Sequence, residues 1–313
     1  MIKQAFVLGA GLGKRLLPLT EELPKPLVPI FQKPLITFAF DHLIAAGCAR
    51  FIVNIHLHPA CFAEAFKSSQ YRDQPIEFKY EPVLLETGGG IKNAESSLGT
   101  EPFIVYSGDI LTDIDLAPLM EEHFRAGNDV TLALRQTSLA SGIALENGRV
   151  VDINNRYGHV GKYDFANVSV WNPNIFQRIP PGKKISFVPI LGEWIGQGGK
   201  IGGVVRNEGI WFNIGSPAEY LEVHRTIAAQ HWKPDHVTTP DWPVSIAGDA
   251  MVDASARFSD FHSIGAGSRI GADVVLEDTI VWAGGEVASR SHLRNCVVRT
   301  EKKAAGILTD AVI

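Results

Sequence analysis

The chain has 313 residues, of which 45% are hydrophobic and 20% charged, and its formal net charge is −5. This composition suits a soluble globular protein long enough for one large domain and a smaller one. It excludes general binding to nucleic acid or to an anionic membrane, so an anionic ligand must be met by a local site. The three scattered cysteines, Cys48, Cys61 and Cys296, exclude a disulfide framework and a zinc cluster. No apolar run reaches the length of about 20 residues that spans a bilayer.

The start, MIKQAFVLGAG, enters a strand directly without the parts of a signal peptide, and a cytoplasmic location is expected. Strand patterns follow at Gln4–Leu8, Phe51–Ile55, Ile76–Tyr80, Phe103–Tyr106 and Val130–Leu134. Between them, helical patterns occupy Leu35–Ala46, Ala60–Ser68, Ile91–Leu98 and Leu116–Ala126. This alternation predicts βαβ crossovers and a doubly wound, mostly parallel α/β domain. Ligands of such sheets bind at the carboxyl ends of the strands. Further strand-like pieces lie at Asp164–Trp171 and Ile201–Ile214, with a helix at Pro217–Ala229 and a proline-rich linker at His231–Pro243.

Beyond the linker the texture changes. Ile246, Val252, Phe258, Ile264, Ile270 and Leu276 recur every six residues, and a second phase runs through Val281, Val287 and Leu293. With Gly265, Gly267, Gly271, Gly284 and Gly285 at turns, this repeat predicts a short left-handed parallel β-helix. The expected domains are therefore 1–232 and 244–313.

The most informative string is GAGLGKRLLPLTEELPKPLVPI, Gly9 to Ile30. Glycines straight after a strand let the backbone approach an anion and aim N–H groups at it. Lys14 and Arg15 add two cations. Neither a dinucleotide fingerprint nor a P-loop fits, because the sixth position from Gly9 is Lys14 and Gly13-Lys14 is followed by Arg15.

The string resembles the signature of the sugar-1-phosphate nucleotidyltransferases, a glycine-rich loop with Arg followed by P-L-T and P-K-P-L-x-P. The resemblance implies a Rossmann-like nucleotidyltransferase domain whose loop, Leu8, Gly9, Ala10, Gly11, Gly13 and Lys14, wraps a triphosphate. It implies contact of Arg15 with the departing pyrophosphate and of Lys25 with phosphate at the reaction centre. Residues Glu81–Ile91, EPVLLETGGGI, then correspond to the base-reading region, with Thr87, Gly88, Gly89 and Glu81 as candidates and Glu86 as a further polar reader. The same glycines could simply start a helix. Asp109, ending the strand in Tyr106-Ser107-Gly108-Asp109, is the expected Mg²⁺ ligand.

Two positions depart from the family pattern. In Trp211-Phe212-Asn213-Ile214-Gly215-Ser216, Asn213 stands where an Asp is usual as the second metal ligand, so it offers an amide oxygen without charge. Val150–Arg156 reads VVDINNR where many members carry E-K-P. The L-E-T-G-G-G-I string matches the N-acetylmuramate-1-phosphate uridylyltransferases, and the extension resembles that of the larger pyrophosphorylases such as mannose-1-phosphate guanylyltransferases. Gly142 and Asn167 are the candidate sugar contacts.

The implied reaction joins a nucleoside triphosphate to a sugar 1-phosphate with Mg²⁺, UTP slightly ahead of GTP, and releases pyrophosphate. One alternative is a nucleotide-sugar sensor without chemistry. A second is a β-helix acyltransferase using His262 or His292, for which about four coils are few. The β-helix is instead expected to support a homo-oligomer.

Overall fold

The computed structural model describes residues 2–137 and 142–313. Two compact units emerge, and they do not follow the order of the chain. The first comprises Met1–Leu12 and Ala39–Phe212, the second Gly13–Phe38 and Asn213–Ile313.

In the first unit ten strands form one sheet. Across it they run Ile143–Glu146, Arg149–Ile153, Ile201–Val205, Val130–Arg135, Asp164–Trp171, Phe103–Ser107, Gln4–Leu8, Arg50–Ile55, Gln74–Tyr80 and Gln70–Tyr71. Gln4–Leu8 pairs in parallel with both Arg50–Ile55 and Phe103–Ser107, and Arg50–Ile55 with Gln74–Tyr80. Gln4–Leu8, Arg50–Ile55 and Phe103–Ser107 are buried along nearly all their length, as parallel strands covered by helices must be. Asp164–Trp171 is antiparallel to both neighbours, Phe103–Ser107 and Val130–Arg135. Phe6, Ile52, Val105, Leu132 and Trp171 belong to the core beneath the sheet.

The expected elements of this unit are present with ends shifted by a few residues. The pattern at Ile91–Leu98 is in fact two helices, Glu86–Asn93 and Glu95–Leu98, so the first helix begins ahead of the glycine run and contains it. The hairpin Ile143–Glu146 with Arg149–Ile153 and the helix Phe187–Gly196 had no counterpart in the sequence reading. Phe187–Gly196 is apolar on most faces and short, a pattern that does not separate helix from buried strand.

The second unit combines the signature segment with the C-terminal part. Pro29–Ile30 and Lys33–Pro34 form a small hairpin whose turn residues, Phe31 and Gln32, have φ of 42° and 72°. The helix Pro217–Gln230 starts at Ser216, whose hydroxyl accepts from Glu219 N, while the Glu219 carboxylate accepts from Gly215 N. His231–Pro243 is packed rather than a free linker. Trp232 and Trp242 are buried, Trp242 Nε1 donates to Trp232 O, and both rings meet Phe38.

The repeat region forms stacked parallel strands. Arg257 pairs in register with Val275 and Val275 with His292, while Met251 pairs with Arg269 and Arg269 with Glu286. Ile264, Ile270, Leu276, Val281, Val287 and Leu293 all point into one core. Ile246, the first of the periodic residues, is instead 37% exposed. No helix among the described residues is long and apolar enough to cross a membrane.

Candidate active site

In the first unit a cleft of about 340 Å³ opens at the carboxyl ends of Gln4–Leu8 and Phe103–Ser107. It is lined by Leu8, Ala10, Asn54, Leu84, Glu86, Thr87, Ser107, Asp109 and Ser186. Adjacent parallel strands end together here, and Gly108 N donates to Leu8 O at 2.9 Å, so the two strand ends are tied where both chains leave the sheet. Five of the residues singled out from sequence, Leu8, Ala10, Glu86, Thr87 and Asp109, thus share one concavity.

The start of the loop is held by a buried polar pair. Asn54 Oδ1 accepts from Gly9 N at 3.0 Å and Ala10 N at 3.4 Å, and Asn54 Nδ2 donates to Glu81 Oε1 at 2.8 Å. Glu81 Oε2 accepts from Leu85 N at 2.9 Å. Both side chains are almost fully buried. Glu81 is therefore spent on positioning the loop and the following turn. Asn54 was missed in the sequence, where a polar residue inside the strand pattern FIVNI was the available signal.

The first two of the loop's three glycines differ. A Cβ on Gly9 would lie 2.8 Å from Asn54 O and 2.9 Å from Val53 Cγ1, so packing alone demands glycine there. A Cβ on Gly11 would meet nothing within 4 Å. The glycines of the second run have internal work: Gly88 N and Gly89 N both donate to Ile185 O, and Phe187 N donates to Thr87 Oγ1. A Cβ on Gly90 would fall 2.7 Å from Asn54 Nδ2, so its absence lets the helix close over the Asn54–Glu81 pair.

Asn167 sits at φ 63° where the pairing of Asp164–Trp171 with Val130–Arg135 slips, a bulge that re-aims its side chain. Gly142 lies against the residue that replaces the usual motif: Asn154 N donates to Gly142 O at 2.6 Å. Asp113 Oδ1 accepts from Ile210 N, and the Arg135 guanidinium donates to the carbonyls of Arg206, Asn207, Glu208 and Gly209. This holds the turn that leads into Trp211-Phe212. Neither residue was picked out in the sequence.

The second unit carries Gly13, Lys14, Arg15, Lys25 and Asn213. Gly13 takes φ 57°, and its carbonyl accepts from Leu16 N and Thr20 Oγ1, which curls Lys14–Leu16 into a 3₁₀ turn. Within this unit the Arg15 guanidinium lies 3.4 Å from the Cβ position of Gly215, two residues past Asn213. Lys25 opens a second 3₁₀ turn after Pro24, which is extended at φ −65°. Among the described residues no group of three or more His, Cys, Asp or Glu side chains forms a metal cage. Of the histidines weighed above, His262 stacks on Phe258 and His292 pairs with Glu277 Oε1 at 3.0 Å.

The family described as nucleotidyl transferase matches residues 4–230. A mannose-1-phosphate guanylyltransferase of Mycobacterium tuberculosis is 28% identical over 291 residues, covering 90% of this chain and 80% of the relative. An N-acetylmuramate alpha-1-phosphate uridylyltransferase of Neisseria meningitidis is 29% identical over 249 residues, 74% of this chain and all of the relative. Among solved structures, a UDP-glucose pyrophosphorylase from Acinetobacter baumanii superposes with a TM-score of 0.64 at 18% identity. It covers 74% of this chain and 95% of that one, a likeness of fold.

Proposed function

The chain belongs to the nucleotidyl transferase family, and from that premise we propose that it transfers a nucleoside monophosphate from a nucleoside triphosphate to a sugar 1-phosphate. The observation that carries this reading is one cleft in which the loop start at Leu8 and Ala10, the carboxylate of Asp109 and the polar edge of Glu86 and Thr87 come together at the strand ends.

An anionic oxygen of the sugar phosphate attacks the α-phosphorus in line, a new P–O bond forms, and pyrophosphate departs with the electron pair of the bond that breaks. The nucleophile is already deprotonated, so no general base is needed. The protein's part is placement and charge compensation. Ala10 and Gly11 present backbone to the phosphates, Arg15 balances charge on the departing pyrophosphate, and Lys25 does so at the reaction centre. Because Gly88 N and Gly89 N are engaged by Ile185 O, base reading falls chiefly to Glu86 and Thr87 beside them.

Asp109 and Asn213, the positions that match the family's metal ligands, would hold Mg²⁺ through a carboxylate and an amide oxygen, hard donors of the kind it takes. When bound, Mg²⁺ supplies further neutralisation of phosphate charge. Asn167 and Gly142, the latter shaped by Asn154, are the proposed sugar contacts. UTP is the first base to test, on the strength of L-E-T-G-G-G-I, with GTP the rival set by the guanylyltransferase relative. The stacked strands of the C-terminal part are read as a left-handed β-helix that supports self-association in the cytoplasm.

The test is pyrophosphate release with each nucleoside triphosphate against a panel of sugar 1-phosphates in the presence of Mg²⁺. Release with one pair establishes the transferase. Binding of nucleotide-sugar without release by any pair would establish the sensor instead.

A further inference from the structure

The part of the signature that lies in the second unit is gripped at two places, after Arg15 and after Lys25, through residues of the C-terminal part of the chain. Arg299 Nη1 donates to Pro18 O at 2.9 Å and to Glu21 Oε2 at 2.6 Å. Its Nε donates to Ile313 O at 3.0 Å, which fixes the plane of the guanidinium. The arginine side chain is only 13% exposed, so its bonds to Pro18 O and Ile313 O are sheltered, while Glu21 is 52% exposed. Pro18 and Glu21 belong to the turn directly after Arg15.

The second grip is a buried relay. Trp282 Nε1 donates to the Tyr220 hydroxyl at 3.0 Å, and that hydroxyl donates to Pro29 O, four residues beyond Lys25. Tyr220 is fully buried and Trp282 nearly so. Two outer contacts, Lys302 to Glu22 at 3.1 Å and Gln32 Nε2 to Ser263 Oγ at 3.0 Å, lie closer to solvent. An exposed ion pair such as Lys302–Glu22 contributes little, so the weight falls on Arg299 and on the Trp282–Tyr220 relay.

We propose that Arg299 and Trp282 are positioning residues for the nucleotide site: through Pro18, Glu21 and Pro29 they hold the segment that presents Arg15 and Lys25, making the C-terminal coil a working part of the enzyme. This rests on the function proposed above for Arg15 and Lys25. Neither Arg299 nor Trp282 touches a reacting group. Their effect passes through backbone that carries the two cations, where a displacement on the order of 1 Å costs about 100-fold in rate.

The experiment compares wild type, Arg299→Ala, Arg299→Lys and Trp282→Phe by hydrogen exchange on the full chain and by steady-state kinetics. Leu16, Leu19 and Glu21 donate within the turn to Gly13 O, Leu16 O and Pro18 O, and their amides report its order. In Arg299→Ala their exchange should accelerate about tenfold or more while the sheet of the first unit is unchanged, and kcat/KM should fall roughly 10- to 100-fold. Arg299→Lys should recover part of both. Trp282→Phe keeps an aromatic side chain but loses the five-membered ring with its N–H, so it should act on the Lys25–Pro29 stretch and lower kcat more than it raises KM. Unchanged exchange at Leu16, Leu19 and Glu21 in Arg299→Ala overturns the proposal, as does acceleration spread evenly over the whole coil in both variants. The exchange arm needs no substrate. Local loosening in a chain that releases no pyrophosphate with any pair would therefore sink the function and leave the brace standing. An active wild type with kinetically silent variants would sink the brace alone.

Discussion

The signature Gly9–Ile30 is continuous in sequence, yet its two halves are supported by different physics. The start, through Leu12, lies in the first unit and hangs from the Asn54–Glu81 pair, which hydrogen-bonds its backbone from inside the sheet. The remainder lies in the second unit, where Arg299 and Tyr220 grip its carbonyls and His224 the amide of Phe31 just past it, from elements more than 180 residues away in the chain. The first support is short-range in topology, between neighbouring parallel strands. The second is assembled only when the C-terminal part has folded. A motif that looks like one object is thus two, and each half can be broken separately.

The largest expected effect comes from the chemistry that both halves serve. Asp109→Ala should lower kcat by about 1,000-fold or more with little change in thermal stability, since the carboxylate proposed to hold Mg²⁺ beside the transferred phosphate is lost. Arg15→Ala, from the other half, should match it to within about tenfold. If Asp109→Ala retained wild-type turnover, the cleft would not be the reaction centre.

The next effect separates the supports by pH. His224 is fully buried, its Nε2 accepts from Phe31 N at 3.2 Å, and its Nδ1–H therefore donates to Tyr220 O at 2.9 Å. Burial pushes its pKa down from 6.5 to about 4. Between those values the unfolded chain binds a proton that the folded one does not. Stability contributed by neutral His224 is therefore complete above pH 6.5 and is lost progressively as pH falls toward about 4, by about 3 kcal/mol in all. Urea midpoints followed downward from neutral pH should fall more steeply in wild type than in His224→Gln. Parallel slopes would remove His224 from the account. The first half should respond instead to Asn54→Ala, which strands a buried carboxylate and two loop amides. That change should cost about 2 kcal/mol or more and lower kcat/KM.

How far this was legible beforehand follows from range. The central strands and most helices of the first unit announce themselves through local periodicity and junction glycines, and the six-residue repeat did the same for the stacked core at Ile264, Ile270 and Leu276. Leu8, Ala10, Thr87 and Asp109 were expected in one site from the family resemblance, and one cleft at the strand ends brings them together. Asn54, Arg135 and Arg299 could not be placed, because each acts on backbone distant in sequence and carries no motif of its own. The grouping of Gly13–Phe38 with the C-terminal part was equally invisible. Periodicity reports which face of an element is buried, not which element covers it. Even Trp232 and Trp242, in a stretch rich in proline, read as linker because their burial depends on Phe31 and Phe38.

The finest division lies within the first half itself, between two glycines two residues apart. Gly9→Ala would push a methyl to within 2.8 Å of Asn54 O and 2.9 Å of Val53, both on a buried central strand that cannot yield without disturbing the sheet. The expected result is a loss of about 1–3 kcal/mol in stability, read as a lower melting temperature, with activity falling because the loop is displaced. Gly11→Ala meets no protein atom within 4 Å and needs no left-handed backbone, so the free protein should melt within a degree or two of wild type. Its methyl would instead stand where the triphosphate approaches the backbone, and the KM for the nucleotide should rise about tenfold. Equal behaviour of the two variants would mean that Gly11, like Gly9, answers to packing. Opposite behaviour, one losing stability and the other affinity, would locate the point in the loop where folding stops dictating the residue and the ligand begins to.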